Sequence, residues 1–476
     1  MKKYGIYAIS FAFMALAFTA CKAPDGIRSE ANTDVPASYT ANEDTASIEL
    51  AAWKAIYTDP WLCALIDTAL SNNQELNIML QEIEVARNEA RARQGEYLPF
   101  LDVKAGGGTE KVGRYTSQGA NDANTEISPG IETPEPLGDL SIGAYATWEI
   151  DVWKKLRNAR KSAVMRYLGT IEGKNFMVTN LISEIANSYY ELLALDNELA
   201  IVNRNIEIQT DAFEIVKLQK QAARVTELAV KRFEAQVLKT RGLKYEILQE
   251  IIETENRINF LVGRFPQPVL RNPDGFAELM PQDIQSGIPS QLLQNRPDIR
   301  EAEMNMASAK LDVKVARAKF FPTIGITAGI GYQAFDPKYL IKTPQSLMYS
   351  IAGDLAAPLI NRKAIKAEYY SANARQMQAI FTYEQAILKA YIEVVNQMAR
   401  VGNLRQSFDL KTQEVAALTQ SIDISNDLFK SARADYMEVL LTQRDALESR
   451  FELIEIKMQQ MNAMVNIYKA LGGGWK

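Results

Sequence analysis

A few groupings in this 476-residue chain have residue types and spacing that could do chemistry, and each has a plainer explanation beside it. Asp423 and Asp427 stand four apart, so on a helix they share one face, where like charges repel and cations are attracted. A solvated outer face would account for them equally well. Glu149 and Asp151 fall on the same, polar side of a strand; paired carboxylates can serve acid–base catalysis, but here they more simply face water. Arg296-Pro297-Asp298 reads as a helix start, since proline suits the first turn and aspartate complements its dipole. Gly472-Gly473-Gly474 follows a helix with no strand before it, so it is no phosphate loop. Cys21 and Cys63 make no disulfide framework, and Cys63 sits amid apolar residues as a buried thiol would. The 15 methionines are scattered or lie on helix seams, and read as packing. Histidine is absent, which removes the commonest general base, His-dependent triads and His-containing zinc sites. The net charge of −5 argues against a nucleic-acid partner. Carboxylate-only or lysine-based chemistry remains possible, but nothing in the sequence concentrates it.

The elements that carry these residues begin after an export signal. Lys2 and Lys3 precede an apolar run from Ile6 to Phe18, too short for a membrane span. Phe18-Thr19-Ala20-Cys21 resembles a bacterial lipobox, so residues 1–20 read as a signal peptide and Cys21 as the lipidated first residue; an ordinary cleaved signal is the alternative. Residues 21–47, rich in small and polar types, read as a tether. Beyond it one plan occurs twice. Ala92-Arg93-Gln94-Gly95-Glu96-Tyr97-Leu98-Pro99-Phe100 matches Ala316-Arg317-Ala318-Lys319-Phe320-Phe321-Pro322-Thr323, each followed by glycines, and Ala223-Arg224 recurs as Ala432-Arg433. The period is about 200 residues, which means duplicated halves, 48–270 and 271–476, each helix, β-hairpin and long helix pair.

The helices carry the clearest period. Leu181, Ile185, Ser188, Leu192, Leu195, Leu199, Val202, Ile206, Gln209, Phe213 and Val216 alternate four and three, as do Leu447, Phe451, Ile454, Met458, Met461, Val465 and Tyr468. A helix from Trp153 to Lys217 would span about 100 Å. Propensity alone would continue it to Val262. In the strands, Leu140, Ile142, Ala144, Ala146, Trp148, Ile150 and Val152 alternate with Ser141, Gly143, Tyr145, Thr147, Glu149 and Asp151, and Ile324 to Tyr332 alternates likewise. Tyr97–Gly106 and Ser346–Leu359 alternate less cleanly. This fits a membrane barrel with lipid outside and water inside, and equally a half-buried soluble sheet. Four strands cannot close in lipid, where a barrel needs about eight or more. A membrane reading therefore demands pooled chains: two would give eight strands and three would give twelve.

Four segments resemble the TolC family of outer-membrane efflux proteins, in the lipoprotein branch that serves resistance-nodulation-division pumps. They are Trp53-Lys54-Ala55-Ile56-Tyr57-Thr58-Asp59-Pro60-Trp61-Leu62, Trp148-Glu149-Ile150-Asp151-Val152-Trp153-Lys154-Lys155-Leu156-Arg157, the stretch from Pro289 to Glu303, and Tyr468-Lys469-Ala470-Leu471-Gly472-Gly473-Gly474-Trp475. The resemblance covers roughly residues 48–476. It implies a mainly α fold with a small β part: a periplasmic coiled-coil barrel and a twelve-stranded transmembrane barrel shared by a homotrimer. It implies no cofactor, a periplasmic adaptor, an inner-membrane transporter that supplies the energy, and passive conduction of drugs or other small molecules. The fold-back near residues 219–227 rests on it too. It implies adaptor contacts at the tips Ala223, Arg224, Val225 and Ala432, Arg433, Ala434, although members often carry glycine there. It also implies an acidic aperture, for which Asp423 and Asp427 are the candidates, and a watery lumen beside Glu149 and Asp151. The rival is a structural coiled-coil lipoprotein that spaces or anchors envelope layers; it has no use for a two-faced sheet.

Overall fold

The computed structural model describes residues 30–39, 51–279, 287–358, 362–431 and 433–475. The signal segment, Cys21, most of the tether and Ala432 lie outside the described residues. In chain order come α1 (Trp53–Ile56), α2 (Pro60–Asn72), α3 (Gln74–Glu96), β1 (Phe100–Glu110), α4 (Ser117–Asp122), β2 (Glu126–Ser128), β3 (Ile131–Glu132), β4 (Leu137–Ile150), α5 (Lys155–Gln221) and α6 (Glu227–Val262). After them come α7 (Leu292–Asn295), α8 (Pro297–Ala318), β5 (Thr323–Ala334), β6 (Leu347–Ala356), α9 (Lys363–Lys430) and α10 (Tyr436–Ala470). The chain divides into two compact units, and each draws on both sequence halves.

One unit, from Glu84–Tyr167 and Met304–Ile380, holds a four-stranded antiparallel sheet in the order β1-β4-β5-β6. Every residue of β1 from Phe100 to Glu110 pairs with β4, and β4 pairs β5 from Leu140 opposite Ala334 to Ile150 opposite Ile324. The boundaries differ from the expected ones by a few residues, because turn residues share the alternation at the ends. The 26-residue connection 111–136 carries α4 and the β2/β3 hairpin, short elements with no periodic signal long enough to read. Beside the sheet, Phe320 and Tyr369 pack edge to face at 5.7 Å with Ala316 and Ala372.

The other unit, from Ala31–Ile83, Leu168–Glu303 and Phe381–Lys476, is helical. α5 has 67 residues and α9 has 68, each about 100 Å of helix, and this unit holds residues 168–221 of the first and 381–430 of the second. Every seam position named above on α5 and α10 is buried or half-buried. Tyr57, Leu62, Ile66, Ile182, Ile185, Tyr189 and Leu192 form the best-buried part of this core. Truncating one of its isoleucines or leucines would cost about 2–5 kcal/mol. The polar seam residue Gln209 is met by the Thr240 hydroxyl, which donates to it at 2.7 Å.

α5 stops short of the continuation that propensity alone would allow. Ala223 takes the left-handed conformation (φ 57°), its N–H donates to the Lys220 carbonyl at 2.9 Å, and the Arg224 N–H donates to Gln219 O at 2.9 Å. This double bond closes a helix C-terminus. α6 ends the same way with Gly263 (φ 78°) in the left-handed place. Thr226 then caps α6 through the Ala229 N–H. The described part of the tether is also ordered, contrary to the expectation of a free linker. Asn32 N donates to Glu384 at 2.8 Å, Tyr391 donates to Ser38 O at 3.2 Å, and Tyr39 stacks on Tyr391 with centroids 5.6 Å apart. Two aromatic rings outweigh the polar composition of the segment.

Candidate functional site

The sheet has two chemically opposite faces. Cross-strand partners share a face, so Asp102, Tyr145, Gly329 and Ser350 form one row. Lys104, Gly143, Gly331 and Met348 form the next, and Glu149, Gly325 and Asp354 another, all on the same side. The opposite face carries Leu101, Val103, Ile142, Ala144, Ala146, Ile330, Tyr349 and Ile351. Its large side chains are bare: Val103 is 76% exposed, Tyr349 79% and Ile351 80%. Apolar side chains this open, in one continuous band, mark a surface built for lipid or a partner. Glycines on the polar face let the strands crowd together. A Cβ on Gly331 would lie 2.4 Å from the Ile142 carbonyl and 2.6 Å from the Gly143 Cα. Among the described residues, the outer edges of β1 and β6 have no strand beside them.

Where the sheet meets helices, one expectation is corrected. Asp151 lies just past β4 and is 6% exposed, so it does not line an open lumen. Its carboxylate accepts the N–H groups of Leu156 at 3.1 Å and Arg157 at 2.9 Å and the Arg157 Nε at 3.1 Å. It is the anionic cap of α5. Glu149 stays on the polar face, 2.5 Å from Lys155. The same end of the sheet is stitched by aromatic contacts. Trp153 stacks on Phe321 at 4.7 Å and donates to Pro322 O at 2.8 Å, while Trp148 donates to Tyr97 O at 3.1 Å.

At the far turns of the long helices, an apolar cluster of Val216, Ala229, Val230 and Phe233 takes in Val225, Phe429, Tyr436 and Leu440. The two hairpin tips therefore stand side by side. Val225 is half-buried in that cluster, Arg224 and Arg433 are exposed, and Ala434 is half-buried. Lys220 pairs with Glu227 across the first turn. Asp423 and Asp427 are both exposed, flanking the buried Ser425, and Asp427 meets Lys430 at 3.4 Å.

The remaining motifs are structural. Arg296, 4% exposed, donates to Asp298 at 2.7 Å, Glu393 at 2.7 Å and the Ala470 carbonyl at 3.0 Å, tying the start of α8 to the end of α10. Gly472 (φ 90°) packs where a Cβ would lie 2.6 Å from Asn295 O, which explains the glycine run. Cys63 is half-buried and donates to Tyr57 O at 3.1 Å. One group escaped sequence reading. Burial first, then the charges of Glu250 and Glu455, raise the Glu198 carboxyl to about 7. Three glutamates on three different helices give no local pattern, so no sequence signal points to them.

Two segments, residues 65–264 and 288–473, match the profile of the family described as outer membrane efflux protein. The chain is similar to the pyoverdine export outer membrane protein OpmQ of Pseudomonas aeruginosa, 26% identical over 92% of this chain and 90% of that protein. It is also similar to the probable outer membrane lipoprotein SilC of Salmonella typhimurium, 24% identical over the full length of both. In fold it matches the open state of the MtrE outer membrane channel of Neisseria gonorrhoeae. That likeness has a TM-score of 0.81 at 21% identity and covers 95% of this chain and 99% of that one.

Proposed function

This chain belongs to the outer membrane efflux protein family, and from that premise we propose that it is the exit duct of a tripartite assembly driven by a resistance-nodulation-division transporter. Members of the family are outer-membrane components of efflux systems and not enzymes. The finer reading is a homotrimer whose three sheets close one twelve-stranded barrel, passively conducting drugs or other small molecules delivered by an adaptor and transporter. The observation that carries it is the two-faced sheet: an exposed apolar band on one face, a polar and glycine-rich other face, and rims at β1 and β6 that are unpaired among the described residues. Backbone groups on those rims would be unpaired in lipid, so a neighbouring chain must meet them. A spacer would not need such a sheet. Among the described residues no helix is long and apolar enough to cross a membrane, so the sheet is the element available for spanning.

Cys21 would anchor the mature N-terminus to the leaflet facing the periplasm. The hairpin tips, with Arg224 and Arg433 exposed, would take the adaptor. Asp423 and Asp427, repeated by threefold symmetry, would ring the inner aperture. Single-channel recording in planar bilayers tests the reading. Stepwise conductance is expected, with cation preference falling in Asp423→Asn and Asp427→Asn. A chain that inserts without conducting would remove the duct, and unchanged selectivity in both variants would remove the aperture assignment alone.

A further inference from the structure

The two ends of the sheet differ in charge. Around the end where the helices join, residues 91–99, 151–161, 314–322 and 362–368 carry thirteen Lys or Arg against three Asp or Glu. The connections at the other end, 110–136 and 335–346, carry four Lys or Arg against six Asp or Glu. Arg93 and Arg317 complement the last turns of α3 and α8, but the basic residues of 151–161 and 362–368 do nothing for the helices they precede or begin: a first turn favours acids, and neither α5 nor α9 has one there. Nor does ion pairing within the chain explain them. Arg93, Lys155, Arg157 and Lys319 have carboxylates to meet, but Lys154, Arg160, Lys161, Lys363 and Lys366 are exposed with no ion-pair partner among the described residues. Lys154 is held outward in the left-handed conformation (φ 60°), directly after the half-exposed Trp153. Trp148 and Trp153 keep their ring N–H groups satisfied while exposing ring surface, the arrangement of side chains at a water–lipid boundary.

We propose that this collar of cations and indoles binds the phosphate headgroups of anionic phospholipids in the leaflet facing the periplasm. The inference rests on the sheet spanning the membrane. The tryptophans would sit at headgroup depth, and the unpaired cations would meet the phosphates just beyond the apolar band. The collar then fixes the depth of the barrel and selects the lipids around it. Each lysine or arginine near an anionic surface adds attraction that falls off within a Debye length. Five of them per chain therefore favour an anionic lipid over a zwitterionic one by about tenfold, with the preference lost in high salt.

The test uses the full-length protein reconstituted with trace spin-labelled lipids, comparing phosphatidylglycerol with phosphatidylcholine in the immobilised shell. The wild type is expected to prefer phosphatidylglycerol about tenfold, and the quintuple variant K154Q/R160Q/K161Q/K363Q/K366Q to lose that preference while keeping its oligomeric mass and conductance. The matching arginine-for-lysine variant should retain it. Equal shells for the wild type, in protein that still inserts and conducts, overturn the proposal and leave the duct reading standing. So does competition by millimolar inorganic phosphate, which would mark a free-phosphate site. Loss of oligomeric mass in the glutamine variant, with no change of lipid preference, would show that the cations meet carboxylates of a neighbouring chain. Protein that enters no bilayer removes the duct reading itself.

Discussion

Ala223 holds a conformation that glycine takes freely, with its Cβ crowding the following carbonyl at a cost of roughly 1–2 kcal/mol. Ala223→Gly is therefore expected to stabilise the tip, seen as slower amide exchange at residues 219–227 and an unchanged fold elsewhere; faster exchange there would contradict the strain. The Glu198 carboxyl gives a second single-residue test. Its value of about 7 lies above the unfolded value near 4.3, so between the two the folded state holds a proton that the unfolded state has released. Stability contributed by this site is complete below pH 4, declines as pH rises, and has become a penalty above about 7. Glu198→Gln should raise the melting temperature at pH 8, leave it nearly unchanged at pH 4, and flatten the profile between. A variant melting like the wild type at both pH values would contradict the assignment. Alanine in place of the usual glycine was legible at this tip; the Glu198 shift was not. The strain at Ala223 appears once the fold-back is known, and Glu198 is perturbed by glutamates distant in the chain.

The long helices were legible because a spacing of four and three leaves no other face to bury, and the structure buries that face from Leu181 to Val216. Their turning points were not. Lys217 to Glu227 contains no proline or glycine, so only the repeat and the family resemblance located the fold-back. Strand alternation was equally clear, but it runs on past the strand. Asp151 inherited the polar face from Glu149, whereas the chain has already turned there into the cap of α5. Asp151→Ala should accordingly lower stability by about 1–2 kcal/mol in a melting assay, leaving conductance per open channel unchanged. A changed conductance at unchanged stability would return Asp151 to the lumen. Gly331→Ala tests the sheet's close approach: with a Cβ 2.4 Å from the Ile142 carbonyl, the yield of assembled particles should drop sharply. A full yield would mean that the strands relax apart at no cost.

Sequence arithmetic carried the reading of the molecule furthest. Four alternating strands are too few to close, and the structure arranges them as one sheet in the order β1-β4-β5-β6, with both rims open among the described residues. We propose that the repeated element order in residues 48–270 and 271–476 is a duplication that doubled two strands to four. The compact units do not follow those halves, because the hairpins of both halves pair along β4 and β5 and join in one sheet. The passive tube proposed above needs no pocket to recognise its cargo, so no motif in the sequence points to a substrate. The measurement that bears most directly on the account is the protein mass of the detergent-extracted membrane particle by light scattering. Three chains per particle is the predicted result, enough for twelve strands around one lumen. A water-soluble single chain would leave four strands unable to close in lipid, and would contradict the duct.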